Sequence, residues 1–356
     1  MLRSARHHLQ AEEVLTAHLE RGERVRGLLE GAWRATPPPA PAVDADILDD
    51  LVPHLIRMGS GGLVWWRLRG TQNRAAPATG ALRQAYRLQT LQARLQERRI
   101  LRALRLLRTA GVEPILIKGW AAARLYPQPA LRPYGDVDLL VRPADRARAA
   151  AALATRQGRR CRVDLHHDVR MLGRTVEDLF VHSTMVQLGD TEVRVPGAAD
   201  HLALLCLHML RHGAWRPVWL CDIAATLEWL PEAFDWRRCL PRDSRRAHWV
   251  ACTFGLAAEL LKAQVLGRIA TSPPAWLRRA VLAQWGRQEH YMTTPSMAFA
   301  LRRPALLPRA LRLRWPNAIE ATVDLGGPFN SLPRLPFQVG ECVWRAGRAL
   351  VATCTR

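Results

Sequence analysis

Two aspartates one residue apart, Asp136 and Asp138, sit in the run Arg-Pro-Tyr-Gly-Asp-Val-Asp-Leu-Leu-Val at 132–141. Their neighbours Val137, Leu139, Leu140 and Val141 suit a strand. In a strand, positions i and i+2 share a face and lie about 7 Å apart along the backbone. Both carboxylates can then converge on one hard cation. Upstream, Ile-Leu-Ile-Lys-Gly-Trp at 115–120 sets Lys118 and Gly119 between a short apolar strand and a helix. A glycine opening a helix lets backbone amides approach a phosphate. Paired carboxylates with such a glycine are what metal-dependent phosphoryl transfer requires.

The spacing alone is cheap. A second pair, Asp44-x-Asp46, follows the proline-rich run 36–43 and belongs at the start of a helix as a cap. What singles out Asp136 and Asp138 is context: apolar strand residues around them, Lys118-Gly119 before them, and the isolated Asp164 after them.

The elements that must position these residues follow from periodicity. Residues 1–33 have an amphipathic helical pattern, and the prolines of 36–43 make a stiff connector. Helical spacing resumes over 46–69 and again over 80–110, where Leu88, Leu91, Leu95, Ile100, Leu101, Leu104 and Leu107 recur near 3.6 residues. Gly111 is placed to end that helix as its C′ residue. The pattern predicts a strand at 114–118, a helix at 119–126, an irregular proline-containing stretch to 134, and a strand at 135–141. An alanine-rich helix should run from Pro143 and Asp145 to about 157. Residues 161–167 alternate as a strand, with Val163 and Leu165 on one face and Asp164 and His166 on the other. A further strand is expected at 191–195. From 198 onward the pattern is helical, and its tryptophans (Trp215, Trp219, Trp229, Trp236, Trp249) should pack helix on helix. From 303 the prolines return and the pattern assigns no elements.

At 356 residues with 49% hydrophobic composition, the chain is globular and long enough for two or three domains. Its first residues run into Glu12 and Glu13 without an apolar stretch, so no secretory signal is expected. No window reaches 18 uncharged apolar residues, so no membrane span is expected and a soluble, cytoplasmic protein is. The formal charge of +21 draws attention to nucleic acid. The arginines are scattered along helix faces, however, and a nucleic-acid partner is not favoured. Lysine occurs only at 118 and 262. A chain that otherwise writes arginine keeps a compact ammonium inside its best motif, which sets Lys118 apart. The seven cysteines are odd in number and form no Cys-x-x-Cys pair, so they are expected as buried hydrophobes of a reducing compartment. His208 and His212, at i and i+4, could share a zinc ion, but Met209 replaces the glutamate of a metalloprotease motif and no third ligand is evident. A packing role is expected for them.

Taken together, Leu116, Lys118, Gly119, Ala121, Tyr126-Pro127, Arg132-Pro133, Gly135, Asp136 and Asp138-Leu139-Leu140-Val141 resemble the uncharacterised nucleotidyltransferase family of the DNA polymerase β-like superfamily. The likeness continues through Val163-Asp164-Leu165-His166, Asp200-His201-Leu202, Leu207-His208, His212 and Trp219-Leu220-Cys221-Asp222, and covers about residues 85–260. Three departures stand out. Lys118-Gly119 occupies the place of the superfamily's usual Gly-Gly or Gly-Ser, the gap from Gly119 to Asp136 is long, and the stretch from Asp138 to Asp164 is short.

The resemblance implies an α+β fold: a small mixed-sheet core at 111–196, N-terminal helices at 1–110, a helical lobe at 197–300 and an extension at 301–356 of undefined structure. It implies a nucleotidyltransferase that moves a nucleoside monophosphate from an NTP to a hydroxyl, amine or phosphate group on a small-molecule, peptide or protein acceptor. Two Mg²⁺ ions about 4 Å apart would serve such a reaction. Asp136, Asp138 and Asp164 would be catalytic and hold the metal, while Lys118, Gly119, Arg132 and Gly135 would bind the nucleotide, ATP among the donors. His166, His208 and Asp222 are substrate-side candidates. Two other readings stay open at this point: a catalytically silent binding module, and a terminal nucleotide transferase acting on nucleic acid. Neither the acceptor nor the base of the NTP is legible.

Overall fold

The computed structural model describes residues 2–71, 77–265, 269–288, 299 and 302–354. Parts of the expected lobe and extension, at 266–268, 289–298, 300, 301, 355 and 356, lie outside the described residues. The described elements group into two compact units: residues 26–208 with 216–272, and residues 1–25 with 209–215 and 273–356. Helix α1 (Leu2–Leu29) and helix α9 (Ala198–Arg211) each contribute to both.

The larger unit holds the sheet and the expected motifs. Before the sheet come α2 (Ala45–Arg57), α3 (Gly61–Leu68) and the long α4 (Pro77–Thr109). Asp44 is the N-cap residue of α2 and Asp46 lies in its first turn, as their position after the prolines suggests, although Asp44 makes no side-chain capping bond. Helix α4 is amphipathic with a different lining from the leucine run. Leu88, Leu91 and Leu95 are exposed, and the buried stripe passes through Leu82, Ala85, Gln89, Ala93, Gln96, Ile100, Ala103 and Leu107. Small residues and amides in mid-helix bring the 129–135 segment close and give it hydrogen-bond donors. Gln96 Nε2 donates to the Gly135 carbonyl at 2.6 Å. Gly111, at φ +69°, reverses the chain after α4, and the Val112 amide donates back to the Leu107 carbonyl at 2.9 Å.

Next come β1 (Ile115–Leu116), α5 (Gly119–Ala123), β2 (Val137–Leu140), α6 (Arg146–Ala154), α7 (Arg156–Arg159) and β3 (Val163–His166). The sheet is mixed. β1 pairs antiparallel with the middle strand β2, and β3 runs parallel to β2 on its other edge. The two short helices α6 and α7 make the crossover that a parallel pair needs. Two elements the pattern did not reveal follow: α8 (Val176–Val181) and β4 (Thr184–Leu188). β4 forms a hairpin with the expected β5 (Thr191–Val195) across Gly189-Asp190.

Alternation on β2 decides what the sheet presents. Val137, Leu139 and Val141 join Ile100, Ala103, Leu104 and Leu107 of α4, together with Val193 and Val195 of β5, in one buried core. Asp136, Asp138 and Leu140 therefore take the opposite face. Beyond the sheet, α10 (Pro217–Trp229), α11 (Trp236–Cys239) and α12 (Ser244–Leu261) complete this unit. Trp219 and Trp249 are buried, and Trp236 sets its ring edge-on to Phe234 and Phe254. Trp229 departs from the expected packing: it is exposed at the end of α10, with the Arg124 guanidinium 5.1 Å over its ring. Cys161, Cys206, Cys221, Cys239 and Cys252 are buried free thiols, and Cys342 is half-buried.

The smaller unit contains α13 (Ala275–Gly286), α14 (Leu307–Arg314), α15 (Ala318–Asp324) and α16 (Leu335–Cys354). Trp285 Nε1 donates to the Ala214 carbonyl at 2.9 Å, and Asn317 Nδ2 to that of Gly213 at 2.8 Å. Gly286 allows a backbone contact that no side chain would permit, since a Cβ there would lie 1.8 Å from the His18 carbonyl oxygen. Among the described residues no helix is long and apolar enough to cross a membrane.

The core assignment has a direct check. Leu104 is buried against the apolar face of the sheet. Leu104→Ala should cost about 2–5 kcal/mol, read as a lower urea midpoint, whereas Leu91→Ala on the exposed side of the same helix should change the midpoint little.

Candidate active site

The parallel register of β2 and β3 puts Asp138 beside Asp164, two residues before the Leu140–His166 pair. Asp138, Asp164 and His166 share the face turned away from α4, and their ligating atoms all lie within 4.8 Å of one another. His166 Nε2 stands 3.1 Å from Asp138 Oδ1 and 3.3 Å from Asp164 Oδ2. Since carboxylates only accept, the ring must donate from Nε2 to be bonded there. Asp138 is half-buried, and Asp164 is exposed, its side chain 63% accessible.

Lys118 completes the polar cluster. Its ammonium lies 3.3 Å from Asp138 Oδ1, the oxygen that also faces His166. Burial alone would raise the Asp138 carboxyl, but the His166 hydrogen bond and the Lys118 charge outweigh it and hold the group below its ordinary value. Asp138 is therefore an anion at neutral pH. Lys118 reaches it from a strained backbone, at φ +54° and ψ −145°, just before the first residue of α5. Non-glycine residues in that region of φ/ψ carry a cost of order 1–3 kcal/mol and concentrate at functional sites. Gly119, at φ +34°, needs the same freedom, while a Cβ on it would meet Tyr134 only at ordinary contact distance. The turn, rather than space, is what calls for glycine there.

Asp136 and Gly135 precede β2 and are exposed. Among the described residues, Asp136 lies outside the three-residue group of ligating atoms. Gly135 has open space where a Cβ would be, and Gln96 tethers its carbonyl. Sequence reasoning had no signal for Gln96, because a polar residue within a helix gives no hint of which loop it will meet.

Arg132 lies elsewhere, in a buried cluster with Asp222. The Arg132 side chain is 8% exposed and that of Asp222 is fully buried. The guanidinium donates from Nε to Asp222 Oδ2 at 3.0 Å and from its terminal nitrogen at 2.8 Å. The Tyr126 hydroxyl donates to Oδ1 of the same carboxylate at 2.8 Å. Burial opposes the charge on Arg132, but Asp222 more than restores it, and burial together with Asp222 pushes the Tyr126 hydroxyl well up. Behind this cluster His201 is buried and pushed down to about 3, by burial first and then by Arg124 and Arg132, so its ring is neutral. His208 is half-buried on α9, its ring edge-on to Trp219 at 5.1 Å. His208 and Asp222 thus fall among helices rather than in the Asp138 cluster.

Two outcomes follow. Asp222→Ala leaves Arg132 a buried cation without its counter-charge and should cost about 3–5 kcal/mol. Tyr126→Phe, which removes one donor, should cost about 1.5–3 kcal/mol; both are read by denaturant unfolding. His201 gains a proton in the unfolded chain below about 6.5 but stays neutral when folded until about 3. Stability should therefore fall as pH drops through that window, by at most about 1.4 kcal/mol per pH unit from this group. His201→Leu should flatten that part of the slope in urea titrations at pH 7, 6 and 5.

The family model described as uncharacterised nucleotidyltransferase matches residues 48–262, which takes in α2 to α12 and begins earlier than the motifs alone suggest. No curated protein and no solved structure matches the chain. A match over more than half of the chain, centred on the sheet that carries Lys118, Asp138, Asp164 and His166, is decisive: the chain belongs to the uncharacterised nucleotidyltransferase family.

Proposed function

We propose that this protein is a divalent-metal-dependent nucleotidyltransferase that moves an NMP from an NTP to a hydroxyl, amine or phosphate group of a small-molecule, peptide or protein acceptor. The observation that carries this reading is the convergence of Asp138, Asp164 and His166 within 4.8 Å on a sheet face whose reverse is locked into the core.

The donor set fits a divalent cation. Two carboxylates supply hard oxygen ligands, one of them held anionic, and the imidazole brings a nitrogen that Mn²⁺ accepts alongside Mg²⁺. Asp138, Asp164 and His166 would hold the ion, with Asp136, two residues before Asp138, as the further carboxylate of the site; two Mg²⁺ ions remain the expected complement. A cation held there would supply Lewis acidity at the α-phosphate and favour the deprotonated form of the acceptor group.

The remaining roles belong to the chain itself. Lys118 sits on a flexible four-carbon stem and can exchange Asp138 for a phosphate oxygen of the NTP. Gly119 and Gly135 leave the backbone around the carboxylates open to the triphosphate. Asp164, the more exposed carboxylate, can accept the proton of the incoming nucleophile. Without metal, the Nε2–H of His166 donates to Asp138; as a ligand of the ion it would give up that bond and offer a ring-nitrogen lone pair instead. Arg132, bonded to Asp222, serves by fixing the segment that leads into Gly135 and Asp136.

Calorimetric titration of each NTP with Mg²⁺ tests the reading. Wild type should bind one or more NTPs only when metal is present, and Asp136→Ala/Asp138→Ala should lose that binding. A folded wild type that binds none of them would overturn the transferase reading and leave a nucleotidyltransferase fold serving as a binding module. His166→Ala should weaken Mn²⁺ binding about tenfold or more, read by the electron paramagnetic resonance of free Mn²⁺. Unchanged Mn²⁺ affinity in that variant would remove His166 from the ligand set.

A further inference from the structure

A cavity of about 530 Å³ opens beside α8 and α11, lined by residues that the Asp138 cluster does not use. Four arginines, Arg174, Arg237, Arg238 and Arg242, face it with two carboxylates, Asp178 and Asp235. The floor is fixed by Asp200, a buried carboxylate that accepts from both Arg174 and Arg238. Arg174 also donates to the Arg238 carbonyl, and Arg238 also donates to Asp178 at 3.0 Å. Asp235 is committed as well, accepting the Arg238 backbone amide at 3.0 Å as the N-cap of α11.

Each of the acidic groups at this cavity is thus already matched to a donor of the protein. Arg237 and Arg242 are exposed, and among the described residues neither has a hydrogen bond or ion pair. The cations of the cavity outnumber its carboxylates, and two planar forks have their donors to spare. Burial first, then Arg238 and more weakly Arg242, push the Arg174 guanidinium below its ordinary value, with Asp178 opposing them. Guanidinium forks match phosphate oxygens two at a time. A volume of this size falls within the range of small-molecule sites, about 300–1,000 Å³. A nucleic-acid backbone would call instead for an extended basic stripe.

We infer that this cavity is a second anion site, which takes a small molecule bearing a phosphate or pyrophosphate group and works independently of Asp138, Asp164 and His166. Arg174 and Arg238 form its rigid floor; Arg237 and Arg242 close on the ligand.

The test is titration of inorganic pyrophosphate into the full-length protein in EDTA, so that no metal-bridged binding contributes. Wild type should bind, and Arg237→Gln/Arg242→Gln should bind at least about tenfold more weakly. Asp138→Asn/Asp164→Asn should bind as wild type does. Both arginines are exposed and unpartnered, so the paired substitution should leave the circular dichroism spectrum and melting temperature unchanged. Absence of binding by wild type, undiminished binding by the arginine variant, or loss of binding in the aspartate variant would each overturn the inference.

Discussion

The register between β2 and β3 is the constraint on which the site rests. A slip of one residue would turn Asp164 toward the core and bring Leu165 beside Asp138. What prevents the slip is apolar. Val163 and Leu165 of β3 pack against the core that buries Val137, Leu139 and Val141, and a slip of one residue would turn them out of it. Backbone bonds fix the same alignment, from the Val137 amide to the Arg162 carbonyl at 3.2 Å and from the Val141 amide to that of His166 at 3.0 Å. The acidic face is therefore placed by the buried face opposite it.

Charge is used in two ways in this unit. In the Arg132–Asp222–Tyr126 cluster the carboxylate is fully buried and accepts from both partners, an arrangement that fixes geometry and leaves little for a ligand. Such a pair adds little net stability over an apolar replacement, yet breaking it is costly. It ties the irregular segment before β2 to α10, where propensity alone would leave that segment undetermined. At Asp138 the situation differs. The gross attraction between charges 3.3 Å apart is about 5 kcal/mol at an effective dielectric of 20, and burial offsets part of it. Lys118 and His166 meet the same oxygen of a half-buried group, so its charge is shared between two partners on the open side of the sheet.

The cost of this arrangement is visible in the backbone at Lys118. Its positive φ swings the side chain off the end of β1 toward β2, and the next residue must be glycine for the chain to continue into α5. The lysine in a chain that otherwise uses arginine has the same logic. A compact ammonium fits beside one carboxylate oxygen, where a planar fork would call for two acceptors.

Much of this was legible in the order of residues. The mixed α and β character, the strands around Asp138 and Asp164, the helix ended by Gly111, and the shared face of Asp164 and His166 all follow from spacing, because strand and helix periods act over a few neighbours. The β4 strand was not, since Thr-Met-Val-Gln-Leu alternates weakly and owes its form to pairing with β5. The buried side of α4 was not either, because a glutamine such as Gln96 is buried there through the loop it bonds. Whether Arg132 turns toward a phosphate or toward Asp222, ninety positions away, is likewise invisible along the chain. The sequence by itself determined which residues could share a strand face and which residues had the chemistry to hold metal and phosphate. Only the tertiary structure decided which of them meet, because hydrogen bonds and ion pairs depend on distance in space, and that is set by how helices far apart in the chain pack on the sheet.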